Sequence, residues 1–174
     1  MSEEIPKPSG RVTENNTIAE GKTYLRQNWT KGVPCPCCKQ FVKLYPRKLT
    51  SAMAYALILI YRHHQTEGSF GAFFHVENHF KLLDIPSSIR GDFPKLRYWG
   101  LIEQQIINNA VIPAYYRITA LGIQFVKEVA SVSKISLLYN NTFYGFEGPE
   151  ITIKDALKDK FNYSELMGYS KIII

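Results

Sequence analysis

Residues 85–122 constrain the fold of this chain more than any other stretch. A helical pattern ends at Gly100, a natural C-terminal cap, and an apolar strand follows it at once. Asn108 and Asn109 then supply a turn, because asparagine tolerates the positive φ angles that tight turns require. A second strand follows, and Thr119 can cap a further helix through its side-chain oxygen. The stretch therefore predicts a helix, a β-hairpin and another helix in direct succession.

Two more helices are predicted ahead of this stretch. Residues 52–64 contain strong helix formers and are apolar on almost every face, which indicates a central, buried helix. Thr50 or Ser51 can cap its first turn. A second, amphipathic helix is predicted to end near residue 83, because the residue before Pro86 is biased away from helical angles.

The third helical segment, over residues 86–99, is less regular. Gly91 and Pro94 both interrupt its pattern of apolar positions. The segment is therefore either one irregular helix or a fresh helix capped by Asp92, in which Pro94 is tolerated in the first turn because no amide bond is lost there.

Charge and composition divide the rest of the chain. The net charge is +6 over 174 residues, and residues 22–48 contain seven Lys and Arg residues but no Asp or Glu. A local positive field of this kind is typical of proteins that bind polyanions. Four regions are predicted: a flexible arm (1–19), a basic cysteine-containing extension (20–48), a helical domain with the hairpin (49–130), and a C-terminal β-hairpin with a short helix (131–174).

Two motifs in this order resemble the winged helix-turn-helix superfamily, with the pattern of bacterial regulators of the MarR and PadR kind. They are YWGLIE at residues 98–103 and YRITALG at residues 116–122. The resemblance covers residues 49–130 and implies an α+β fold. Its core would contain three helices, a two-stranded wing and a fourth helix. The chain departs from this pattern at Gly91 and Pro94, and its apolar wing tip carries no Lys or Arg.

The resemblance implies that helix 86–99 enters the major groove of double-stranded DNA. Arginine can bond guanine bidentately, whereas lysine and serine commonly contact phosphate. The basic extension would add contacts to the DNA backbone. The candidate nucleic-acid-binding residues are Ser87, Ser88, Arg90, Lys95, Arg97 and Tyr98 in the helix, with Lys39, Lys43, Arg47 and Lys48 in the extension.

The three cysteines lie within four positions and form half of a zinc-knuckle pattern. A structural zinc ion takes four ligands, and Cys35 and Cys38 have the spacing of one thiolate pair. Reduced cysteines without a metal are the alternative. The remaining ligands of one structural zinc would come from Cys37 or from a histidine such as His63, His64, His75 or His79.

No motif of a known enzyme class is present, so we expect a protein without catalytic activity. The longest apolar run is half of what a membrane span needs, and the N-terminal residues lack a signal-peptide pattern, so we expect a cytoplasmic protein. A small transcriptional regulator or a phage-type accessory factor is one interpretation, with a homodimer or a protein partner held by the C-terminal region.

A protein-interaction module that binds or inhibits a host nucleic-acid enzyme is the competing interpretation, because exposed apolar patches usually mark contacts. Two sets of residues favour it: the apolar wing (Ile106, Ile107, Val111 and Ile112) and the aromatic C-terminal turn (Tyr139, Phe143, Tyr144 and Phe146).

Overall fold

The computed structural model describes residues 15–168 of the chain as an α+β protein with antiparallel sheets. These residues divide into two compact units. Unit 1 takes its described residues from 15–47 and 137–145, and unit 2 takes them from 48–136 and 146–168. The C-terminal region is thus shared between the units, and its strands run from one unit into the other.

The helices and strands have the following bounds. The α-helices are α1 (Ile18–Asn28), α2 (Ser51–Glu67), α3 (Val76–Leu82), α4 (Ser87–Arg90), α5 (Ala120–Val126), α6 (Ile153–Leu157) and α7 (Tyr163–Leu166), with 3-10 helices at Phe93–Trp99 and Lys158–Lys160. The strands are β1 (Val33–Pro34), β2 (Phe41–Val42), β3 (Tyr45–Lys48), β4 (Phe74–His75), β5 (Ile102–Ile107), β6 (Ala110–Ile118), β7 (Val132–Tyr139) and β8 (Thr142–Ile151).

Helix α1 of unit 1 was not predicted. The predicted flexible arm lies outside the described residues up to residue 14, and its last residues already begin the helix. Thr17 and Glu20 form a capping box: the Thr17 hydroxyl accepts from the Glu20 amide, and the Glu20 carboxylate accepts from the Thr17 amide at 2.7 Å. This cap stabilises a helix of mainly polar residues at the junction of the predicted arm and the predicted basic extension.

The rest of unit 1 begins with a two-stranded antiparallel hairpin. Strands β1 and β2 pair Val33 with Val42, and the cysteine turn connects them. Pro46 lies inside β3. Proline is tolerated on an edge strand, where no ladder hydrogen bond is needed from its nitrogen. Strand β3 is the edge of a three-stranded sheet with the order β3-β7-β8.

Unit 2 is built around α2, as the sequence predicted. The side-chain oxygen of Thr50 accepts from the Met53 amide, and Gly68 ends the helix in the left-handed conformation. Most of its residues between these caps are buried, including His64. The helix packs against α4, α5, α6 and the 3-10 helix Phe93–Trp99 within one apolar core. Burying nearly every face of one helix makes it the centre of the unit.

The predicted hairpin is present in unit 2 and gains a third strand. Strands β5 and β6 are antiparallel, with Ile102 paired to Ile118. Asn108 and Asn109 form the turn with φ of 51° and 63°. Strand β4, which follows the first helix of the unit, pairs with β6 on the other side, so the strand order is β4-β6-β5.

The third helical segment is not a single helix over residues 86–99. It consists of α4, only four residues long, and the 3-10 helix Phe93–Trp99, with Gly91 and Asp92 between them. Asp92 makes no side-chain cap, since its carboxylate pairs with Lys95. Pro94 has no amide proton for a helical hydrogen bond. The break therefore falls at Asp92, where one of the two predictions had a fresh helix begin, but the new segment is a 3-10 helix and not an α-helix.

The predicted C-terminal hairpin consists of β7 and β8, but the aromatic residues expected in its turn (Tyr139, Phe143, Tyr144 and Phe146) lie in these two strands. Asn140 and Asn141, both with positive φ, form its turn between β7 and β8. Thr152 and Asp155 form a capping box at the start of α6. None of the helices within residues 15–168 has the length and apolar character that crossing a membrane requires.

Candidate nucleic-acid interface

The two sequence motifs of unit 2 meet at one junction. The Thr119 hydroxyl donates to the Gly100 carbonyl at 2.6 Å, and the Thr119 amide donates to the Leu101 carbonyl at 3.1 Å. The same hydroxyl accepts from the Gly122 amide, which caps α5. A side chain at Gly122 would collide with the Leu101 carbonyl oxygen. The junction therefore fixes the end of the third helical segment against the start of α5, and its close contact requires glycine at position 122. Gly100 instead adopts a φ of 68°, which favours glycine.

The amino-terminal half of the third segment presents two serine hydroxyl groups and one arginine whose Nε atom lacks a hydrogen-bond partner in the described residues. Ser87 and Ser88 are exposed. Arg90 is half-buried, and its Nε atom is buried without a hydrogen-bond partner in the described part of the chain. A buried guanidinium nitrogen that lacks a partner is costly, so a bound anion or carbonyl group would stabilise it.

The carboxy-terminal half holds its cations against the protein. Lys95 forms an ion pair with Asp92 at 2.5 Å. Arg97 is exposed, but its guanidinium donates to the Pro94 carbonyl at 3.1 Å and to the Tyr98 hydroxyl at 2.9 Å. It also lies 4.6 Å from the centroid of the Tyr98 ring. Arg97 is thus pre-oriented, whereas the Lys95 charge is partly neutralised.

A groove of about 490 Å³ lies between α3, α4 and β6. Ser87 and Arg90 line one side, and Tyr116 of β6 lines another. Lys81 also lines it, but this lysine pairs with Glu77 at 3.5 Å. The groove therefore brings Ser87 and Arg90 of the predicted site together next to the hairpin. Of the two cations that line it, Lys81 has an ion-pair partner, whereas Arg90 has none within residues 15–168.

The wing tip offers apolar side chains. Ile106 and Val111 face each other across the hairpin and are 62% and 55% exposed. Ile107 is also exposed, and Ile112 is half-buried. Arg117 is the one cation in the sequences of β5 and β6. It is occupied by an ion pair with Glu103, a hydrogen bond to the Gly71 carbonyl and the ring of Phe73.

The predicted backbone-contacting cations are mostly accessible. Lys39, Arg47 and Lys48 are exposed, and Lys43 is half-buried. Lys39 donates to the Pro36 carbonyl at 3.0 Å, so it is anchored to the cysteine turn. Lys48 is the first residue of unit 2, whereas the other three belong to unit 1.

The cysteine turn places two sulfur atoms at one groove. The Cys35 amide donates to the Gln40 carbonyl at 2.7 Å, and Lys39 adopts a φ of 61° in the turn. Backbone N–H groups of Cys38 and Cys37 donate to the Cys35 sulfur and lower the pKa of its thiol. Cys35 and Cys38 line the same groove, whereas Cys37 does not line it. These features suit a thiolate pair, which supplies two of the four ligands that zinc requires.

The histidines lie in unit 2 and have other neighbours. The His64 ring is fully buried between the Ser69 carbonyl, 3.0 Å from Nδ1, and the Ile118 amide, 3.4 Å from Nε2. His63 stacks on Phe74 and approaches the His79 ring at 4.4 Å. His75 caps α3 by accepting from the Asn78 amide. Within residues 15–168, no three His, Cys, Asp or Glu side chains converge on a common point.

A second groove, in unit 1, was not predicted. We call it the α1 groove: it has a volume of about 300 Å³ and is lined by cations and aromatic rings, together with Cys35 and Cys38. Its cations are Lys22 and Arg26, and its aromatic rings are Trp29, Tyr139 and Tyr144. The capping box and the four-residue spacing of Lys22 and Arg26 were the sequence signals that indicate this helix face. No local sequence pattern indicated that Tyr139 and Tyr144 would line this groove.

Comparison of the chain with protein-family models, with curated proteins and with solved structures finds no match.

Proposed function

We propose that this protein is a winged-helix protein that binds double-stranded DNA, as a small transcriptional regulator or a phage-type accessory factor. The connectivity of unit 2 supports the fold assignment. A helix, a short strand, two helical segments and a hairpin follow in order, and the short strand pairs with the second hairpin strand. This is the element order of a helix-turn-helix with a wing.

The Arg90 side chain carries the functional proposal. Its Nε atom is buried and lacks a partner in the described residues, and the side chain lines a groove beside the exposed Ser87. Arginine and serine are residue types that contact phosphates and base edges in DNA complexes. Arg97, held in place by Tyr98, is the second cation of the same segment.

The test is binding to random and enriched duplexes across a salt series, for the wild type and for Arg90→Ala with Arg97→Ala. We expect the double variant to lose at least about tenfold in affinity, because each good base contact contributes about 1–3 kcal/mol. Lys127→Ala is the matched control, since Lys127 is an exposed cation of unit 2 outside the groove. Thermal unfolding verifies that the variants fold. Equal affinity of the double variant and the control, or no duplex binding at low salt, would refute the proposal.

A second candidate function is a protein-interaction module that binds a nucleic-acid enzyme. The exposed apolar pair Ile106 and Val111 favours it, because the wing tip has no cation for phosphate. Ile106→Ser with Val111→Ser would abolish that interaction. The same variant should retain duplex binding if the first proposal holds.

We also propose that Cys35 and Cys38 bind a structural zinc ion. The turn geometry supports it, because both thiols line one groove and two amides stabilise the Cys35 thiolate. The proposed zinc would stabilise the β1–β2 turn and thereby the cations next to it.

A further inference from the structure

The α1 groove combines aromatic rings that are only partly covered. Trp29 and Tyr144 meet edge-to-face, with ring centroids 5.1 Å apart and planes inclined by 70°. Tyr139 lies 6.1 Å from Tyr144 on the same wall. Trp29 is half-buried and Tyr144 is 46% exposed, so parts of both rings remain accessible. Aromatic faces that line an open groove favour a flat, aromatic occupant.

Cations flank these rings. Lys22 and Arg26 are four residues apart on α1, so they lie on the same helix face, and Trp29 follows one turn later. Both cations line the groove. Neither has a carboxylate partner within residues 15–168. Two such cations beside packed aromatic rings match an anion that is linked to a flat ring.

The charge of unit 1 points to a polyanion. Six Lys and Arg residues stand against one acid in its described part. That acid, Glu20, is engaged by the hydroxyl and amide of Thr17, and these hydrogen bonds lower the pKa of its carboxyl group. Glu20 thus stays ionised, but six cations against this one carboxylate leave unit 1 with a positive net charge that favours an acidic occupant.

We propose that the α1 groove binds an unpaired base of single-stranded nucleic acid. Because the planes of Trp29 and Tyr144 are inclined by 70°, the base stacks on Tyr144 and contacts Trp29 at an angle. Lys22 and Arg26 contact the phosphates on either side of the base. A base in a duplex has both faces covered by its neighbours, so the groove selects single strands. This inference rests on the proposed nucleic-acid function and adds a second ligand, held by unit 1.

Tryptophan fluorescence reports on this site directly. The chain contains two tryptophans, and Trp99 is only 2% exposed with its indole N–H bonded to the Ser133 carbonyl at 2.7 Å. Quenching by an oligothymidylate therefore reports binding at Trp29. The titration uses the full chain under reducing conditions, with a duplex of the same length as the second ligand.

Affinity for a fluorescently labelled oligothymidylate is then measured for two variants. Tyr144→Ala should weaken binding by about 5-fold or more, since stacking on one aromatic residue contributes about 1–3 kcal/mol per base. Lys22→Ala with Arg26→Ala should weaken binding and lower its salt dependence by about 0.7 for each phosphate that the variant no longer neutralises. The matched controls are Tyr45→Ala, an exposed tyrosine outside the groove, and Lys31→Ala with Lys127→Ala.

Three outcomes overturn the inference: no quenching by the single strand, equal weakening in the groove variants and their controls, or quenching by an acidic aromatic peptide that the oligonucleotide does not displace. If duplex binding still depends on Arg90 and Arg97 in any of these cases, the proposed function stands and the groove inference alone falls. If neither nucleic acid binds, both fall.

Discussion

At the scale of single residues, the His64 ring shows how a buried imidazole is held by two backbone groups. The sequence makes it a candidate for zinc, but its two ring nitrogens face the Ser69 carbonyl and the Ile118 amide inside unit 2. Nδ1 therefore donates and Nε2 accepts, which requires the neutral ring. Burial lowers the pKa of His64, and burial likewise lowers the pKa of His63 and His79 below the ordinary value of 6.5.

The lowered pKa values predict acid destabilisation. In the unfolded chain these histidines take up protons near pH 6.5, but in the folded chain they resist protonation. The free energy of unfolding should therefore have its full value well above pH 6.5, and it should decrease as the pH is lowered from 7 to 5. Each pKa unit of lowering corresponds to about 1.4 kcal/mol. Urea unfolding at several pH values measures this, and a flat or rising profile on acidification would contradict it.

Substitution of His64 measures how much of this pH-dependent stability comes from His64 alone. His64→Leu leaves the Ser69 carbonyl and the Ile118 amide without the imidazole that bonds them, at a cost of about 1–3 kcal/mol each at pH 7.5. The variant should also show a weaker dependence of stability on pH than the wild type. His75→Asn is the control, because asparagine keeps an acceptor at the cap of α3 while one histidine is removed.

At the scale of elements, the sequence predicts a helix or a turn correctly when the interactions that determine it join residues close together in the chain. Helix α2, the Asn108–Asn109 turn and the α5 cap depend on neighbouring residues, and the sequence indicated them. The break in the third segment also follows from Gly91 and Pro94, but the sequence did not indicate that the part after the break is a 3-10 helix. The α1 groove needs tyrosines more than a hundred residues away from Trp29, so only folding reveals it.

The cysteine turn yields a prediction about metal content. The wild type purified under reducing conditions should contain zinc, and Cys35→Ser with Cys38→Ser should contain none, because neither groove-lining thiol remains. Cys37→Ser is the matched control and should keep the metal, since Cys37 is exposed and does not line the groove. Metal analysis by mass spectrometry measures all three proteins. A wild type without zinc, or a Cys37 variant that loses it, would overturn the assignment.

At the scale of the whole molecule, the two units divide the proposed interactions with DNA by type. Unit 2 presents Arg90 and Arg97 on the third helical segment, where contacts to base edges are proposed. The exposed cations Lys39, Arg47 and Lys48 lie in unit 1 or at the first residue of unit 2. Cations that contact only phosphates position a protein on DNA and carry no sequence information.

This division predicts two distinct phenotypes for duplex binding. Alanine at Lys39, Arg47 and Lys48 should weaken binding equally for all sequences and lower the slope of log affinity against log salt by about 0.9 for each phosphate that is no longer neutralised. Alanine at Arg90 and Arg97 should instead flatten the preference among duplexes selected from a random pool. Anisotropy titrations with an enriched and a scrambled duplex separate the two effects. If the triple variant changes sequence preference while the Arg90 and Arg97 variant changes only the salt slope, the assignment of base reading to the third segment is wrong.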